Sequence, residues 1–165
     1  MKVNNAQKND EVLYSEWIPA GGFLKVVVLI VFVLFVSLGI VFTAFQPGEL
    51  SFIGIIFGIA SIVIFLFYWN YRGLSIILTQ KILEVEYGAF NHKRISLNKI
   101  SSCEATKARF RTYGGIGIRL GLDGSWAYNT DFGDAIKLTL KDGRPFLFST
   151  RNPQKICNLI KEKIN

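Results

Sequence analysis

The sequence predicts an α+β membrane protein: a two-helix transmembrane hairpin followed by a small β-roll of about seven strands, closed by a C-terminal amphipathic helix. Three observations carry that class. Two long apolar runs, Phe23–Phe45 and Leu50–Trp69, stand four residues apart. From Arg72 the texture changes to short runs of period two. The last dozen residues return to period 3.6. The chain therefore divides into residues 1–22 (a polar tail with an interfacial aromatic segment), 23–71 (the hairpin) and 72–165 (the roll).

The first run has 23 residues and one charge, Lys25, at its leading edge; the second has 20 residues and none. At about 1.5 Å per residue each spans roughly 30 Å, the hydrocarbon thickness of a bilayer. Lipid offers the backbone no hydrogen-bond partners, so both runs must be helical. Gln46-Pro47-Gly48-Glu49 holds the turn signal between them. A signal peptide has a shorter apolar core and is not followed at once by a second one. Neither span contains Asp, Glu, His or Arg, the usual markers of an ion path or proton relay. Ser37, Thr43, Ser51 and Ser61 can bond to backbone carbonyls. Gly54-x-x-x-Gly58 lets helices approach closely, and packing within the hairpin is the first reading for it.

The net charge of +7 is uneven: residues 1–71 sum to −1 and residues 72–165 to +8. Lys25, Arg72 and Lys81 flank the helices, whereas the connecting turn carries only Glu49. Positive-inside bias then puts both termini in the cytoplasm. There Cys103 and Cys157 would stay reduced, as small buried hydrophobes. No Asn-x-Ser/Thr sequon occurs, consistent with a cytoplasmic or bacterial setting.

Residues 1–10 read as a loose tail and Glu11–Ile18 as a short amphipathic piece. Its Tyr14 and Trp17, with Tyr68, Trp69 and Tyr71, suit an interfacial aromatic belt. Strands follow at Leu74–Thr79, Ile82–Tyr87, Phe90–Leu97 and Ile100–Ala108. The glycine-rich Phe110–Asp134 holds two more, near Ile116–Leu120 and Trp126–Asn129. Ala135–Leu140 and Pro145–Thr150 flank Asp142-Gly143, a type I′ turn signal. Asn152 and Pro153 then open a helix with Ile156, Leu159, Ile160 and Ile164 on one stripe.

This order resembles the bacterial pleckstrin-homology-like (PH-like) domain in its membrane-anchored form, where a two-helix hairpin precedes the domain. The resemblance runs from Phe23 onward. It is strongest at Gly115-Ile116-Gly117-Ile118-Arg119, Trp126-Ala127-Tyr128-Asn129, Leu138-Thr139-Leu140-Lys141-Asp142-Gly143-Arg144 and Ser149-Thr150-Arg151-Asn152-Pro153. The resemblance implies a fold and a bacterial cell membrane more than a job. Phosphoinositide binding does not carry over. The first hairpin turn, Thr79-Gln80-Lys81, has one basic residue, and the last helix lacks the family's Trp.

No catalytic pattern is found. Gly114-Gly115-Ile116-Gly117 has neither P-loop nor dinucleotide-fold spacing, and no helix pattern follows it. His92 is the only histidine, too few for a zinc site with two separated cysteines. No nucleophile has an evident base. The expectation is a non-catalytic module with no cofactor and no metal. Its partner would be a protein, a second copy, or the anionic bilayer surface, and not nucleic acid. The other reading is an accessory subunit of a transporter or membrane enzyme. Lys107, Arg109 and Arg111 alternate, so an extended chain through Arg111 puts them on one face. With Arg119 they are the candidate lipid or partner contact, and Gly54 and Gly58 the candidate helix-packing pair.

Overall fold

The structure, a computed structural model, describes residues 11–45, 48 and 51–164. The tail expected over residues 1–10 and most of the helix-connecting turn lie outside the described residues. The chain forms two compact units, residues 20–72 and the remainder on either side of them.

Residues 20–72 hold α1 (Gly22–Phe45) and α2 (Ser51–Asn70), both long and apolar enough to cross a membrane. Their contact is aromatic in the middle: Phe57 meets Phe35 at 5.4 Å and Phe42 at 5.9 Å between ring centres. The hydroxyls of Ser37, Thr43 and Ser61 each donate to the carbonyl four residues back, at 2.8 Å. In a medium without water that pairing leaves no orphan donor.

The second unit begins before the helices. Val12–Pro19 is not an isolated amphipathic piece but a strand, β1, antiparallel to β2 (Gly73–Thr79). β3 (Ile82–Tyr87) and β4 (Asn91–Ser96) complete a sheet of order β1-β2-β3-β4. The rest is β5 (Ile100–Ala108), a short helix α3 (Phe110–Tyr113), β6 (Gly117–Leu120), β7 (Trp126–Asn129), β8 (Gly133–Leu140), β9 (Phe146–Ser149) and α4 (Pro153–Ile164). The second sheet runs β5-β8-β9-β7-β6, with β7 and β9 parallel. Nine strands are therefore described where about seven were expected.

Alternation builds the core. Leu74, Ile76 and Leu78 of β2 are fully buried, as are Leu83 and Val85 of β3. All four residues of β9 are buried, as suits a strand with neighbours on both edges. Ile156 and Ile160 of α4 are also buried, on the stripe the sequence shows. The turn after β8 departs from expectation. Five residues separate Leu140 from Phe146, and Gly143 alone has positive φ, +101°. A type I′ turn needs it at both central residues, and Asp142 does not supply it.

β1 is fastened by polar contacts as well as by its ladder. Tyr14, Glu16 and Ile18 share its inner face. The Glu16 carboxylate accepts from the Thr150 hydroxyl at 2.7 Å, the Arg151 N–H at 3.2 Å and the Tyr14 hydroxyl at 3.1 Å. The Asn152 side-chain amide donates to the Tyr14 hydroxyl at 3.0 Å. Asn152 thus opens α4 with its carbonyl, which accepts from the Ile156 N–H, and ties β1 with its side chain.

The cysteines differ most from expectation. Both are buried, but they are bonded to each other: Cys103 of β5 and Cys157 of α4 form a disulfide with Cα atoms 5.4 Å apart. The bond pins α4 to the edge of the second sheet.

Candidate interaction surface

The basic residues do not form the expected strip. β5 ends at Ala108, Arg109 is the residue before α3, and Arg111 lies within that helical turn. The extended backbone assumed through Arg111 therefore stops at Arg109, which is itself extended at φ −105° and ψ 137°, and Arg111 leaves the face. Three positions later the chain has curled, and Gly114 closes the turn in the left-handed region at φ +65°. Lys107 stands directly across the ladder from Asp134, so its charge is offset locally. Arg119 folds back on its own loop, its Nε donating to the Ile116 carbonyl at 3.2 Å. All four basic side chains are exposed.

Exposed apolar side chains lie on α3 and on two segments in contact with it. Phe110 is 64% exposed and meets Phe132 edge-on at 5.5 Å. The Thr112 carbonyl accepts from the N–H of Leu122, a leucine 88% exposed. Leu120 and Trp126, both exposed, pair across β6 and β7 on the face of that sheet opposite Ala127, the alanine with which Tyr113 of α3 packs, so they stand apart from this group. Exposed Phe110, Phe132 and Leu122, with Arg109 and Arg111 flanking Phe110 in the chain, have the composition of a recognition surface. No sequence signal marks it, because its members come from three segments.

Beneath the cluster a polar network fixes α3 and the turn before β7. Lys137 donates to Asp123 at 2.6 Å; the Ser125 hydroxyl donates to the same carboxylate at 2.6 Å and the Ser125 N–H at 3.1 Å. The Tyr113 hydroxyl lies 2.9 Å from that of Ser125. Burial pushes the Asp123 pKa up, but the bonds from Lys137 and Ser125 outweigh it and hold the carboxyl at about 2. Its partner Lys137 is raised, first by that same bond. Burial raises Tyr113 as well. The charged lysine already serves a carboxylate, so it offers Ser125 no free base. The network reads as scaffold. Among the described residues no three of His, Cys, Asp and Glu converge as a metal site.

The glycine pair separates into two roles. A Cβ at Gly54 would run into the Thr43 hydroxyl and come within 2.8 Å of the Gly39 carbonyl, so α1 and α2 need glycine at their crossing. A Cβ at Gly58 would meet nothing within 4 Å. Gly58 instead lines an apolar groove of about 770 Å³ along the hairpin, with Phe32, Gly39, Thr43, Ser61 and Phe65.

No family model matches the chain, and no curated protein matches it.

Proposed function

We propose that this protein is a membrane-tethered, non-catalytic interaction module. The hairpin α1–α2 spans the bilayer, and the domain engages a protein partner through the cluster around α3. The observation that carries this reading is the exposed Phe110 packed edge-on against Phe132, with the exposed Leu122 bonded through its backbone to Thr112, on a scaffold held by Asp123 and Lys137. A photo-crosslinking residue at Leu122, in native membranes, tests it. The reading expects one discrete adduct that Phe110→Asp abolishes. Adducts equal to those from a site on α4 would sink it. A second copy would give a homodimeric adduct. A transporter or membrane-enzyme subunit would give a larger one, making this chain its accessory subunit.

The domain is read as a divergent PH-like roll from a bacterial cell membrane. The meandering antiparallel first sheet and the C-terminal helix support that reading; the parallel β7–β9 pair departs from it. The basic residues favour the anionic bilayer surface less than the α3 cluster favours a protein, because Asp134 faces Lys107.

For orientation, Lys25, Arg72 and Lys81 support a cytoplasmic domain. A second reading is favoured by Cys103–Cys157: disulfides persist in oxidising compartments, on the other side of the membrane. Reporter fusions after Asn165 and within the helix-connecting turn separate the two. Activity of a cytoplasmic reporter at the C-terminus supports the first, and activity of an exported one the second.

A further inference from the structure

The chain passes into the hairpin from one end of the first sheet and returns to that same end. β1 stops at Pro19 and α1 begins at Gly22; α2 stops at Asn70 and β2 begins at Gly73. Two residues intervene on each side, a reach of roughly 10 Å. The Ala20 N–H donates to the Arg72 carbonyl at 2.7 Å, so the two connections are bonded to each other. Whatever holds the helices therefore begins within a short distance of Pro19 and Gly73.

The β3–β4 turn lies at this end. Leu74 of β2 pairs with Tyr87 of β3, the last residue before the turn Gly88–Phe90. Phe90 projects there, 82% exposed. The turn is built rather than loose. Gly88 takes φ +71°, a conformation most side chains avoid. His92 braces it, with Nε2 2.8 Å from the Ala89 carbonyl and Nδ1 3.0 Å from the Glu86 carboxylate. Trp17, 52% exposed, stands near the same end with its ring over Gly73. In water a braced turn presenting a bare phenyl ring gains nothing. At the headgroup–acyl boundary the ring leaves water while the turn backbone stays hydrated.

We propose that the β3–β4 turn is a second membrane contact, with Phe90 inserted into the boundary of the bilayer that holds the hairpin. It rests on the reading of α1 and α2 as spanning helices. Phe90 supplies that contact, and His92 keeps its turn in shape.

The test uses the full-length protein in phosphatidylcholine–phosphatidylglycerol bilayers, with Cys103 and Cys157 oxidised. An environment-sensitive fluorophore on Ala89→Cys, beside the ring, is exposed to lipids carrying a shallow nitroxide quencher. The same label on Lys81→Cys reports the opposite end of the sheet, and on Ile62→Cys the exposed surface of α2. The expected result is quenching at position 89 severalfold above that at 81, falling to the level of 81 when Phe90→Ser is added. With position 62 quenched by deep nitroxides, equal quenching at 89 and 81 overturns the proposal and leaves the hairpin reading intact. Quenching at 89 that survives Phe90→Ser also overturns it. No quenching at 62 overturns both.

Discussion

Pro19 stands opposite Gly73 in an antiparallel pair, so residues 20–72 are a loop inserted between two neighbouring strands. The hairpin is not an anchor placed ahead of a domain. It interrupts one, and both of its connections leave from the same strand ends.

This has a direct consequence. Replacing residues 20–72 with a tight two-residue turn should give a water-soluble protein that melts cooperatively. A fragment starting at Gly73 should fail to do so, because it bares the β2 edge and the partners of Glu16. In the soluble version Glu16→Ala should cost about 1.5–3 kcal/mol, the range for bonds to a charged acceptor. Urea melts check both, and a Gly73 fragment as stable as the joined form would show β1 to be dispensable.

Loss of the disulfide should be felt across α4. It closes a loop of 54 residues, for which the chain-entropy relation gives about 4 kcal/mol. Double substitution of Cys103 and Cys157 by Ser should lower stability by that order, and reductant should do the same to the parent only. Thiol titration of the unfolded parent should find no free thiol unless reductant is present.

Two groups make opposite contributions with pH. Asp123 has its folded pKa held at about 2, below the ordinary 3.8. Its stabilisation is present above 3.8 and lost as pH falls through about 2. His92 is shifted upward, first by the Ala89 carbonyl and then by Glu86. Its stabilisation is complete below the ordinary 6.5 and lost as pH rises through the higher folded value. The gap between parent and Asp123→Asn should therefore shrink in acid. The gap between parent and His92→Gln should shrink toward alkaline pH. Melting curves across the range read both, and gaps that ignore pH would remove these ionic roles.

Much of this architecture is legible in the chain, and the rest is hidden for identifiable reasons. The two long helices show themselves because length and apolar composition coincide along each of them. The strands from β2 to β5 show themselves through alternation, as at Leu83, Val85 and Tyr87. β1 does not, because its partner lies beyond both helices and its aromatics invite an interfacial reading. The basic strip fails after Arg109, where Phe110–Tyr113 turns helical over too few residues for any period to register. The Cys103–Cys157 bond and the parallel β7–β9 pair are contacts between distant segments, to which local pattern is blind. The cluster around α3 is hidden in the same way.

The glycines give a test inside the hairpin. Gly54→Leu should disrupt the helix crossing, by about 1–3 kcal/mol or more for overpacking. Gly58→Leu should leave the crossing intact, since the added side chain enters the open groove. Folded yield in detergent separates the two. An oligomer of the parent that becomes monomeric with Gly58→Leu would show that the groove seats another helix.

On the reading proposed above, α1 and α2 lie in the bilayer and hold the domain to it. Membranes containing the full-length protein, washed in alkaline carbonate and floated on a density gradient, measure this directly, alongside the version with residues 20–72 replaced by a turn. The full-length protein should float with lipid after the wash, and the shortened one should remain at the bottom. Full-length protein released by carbonate would contradict that reading.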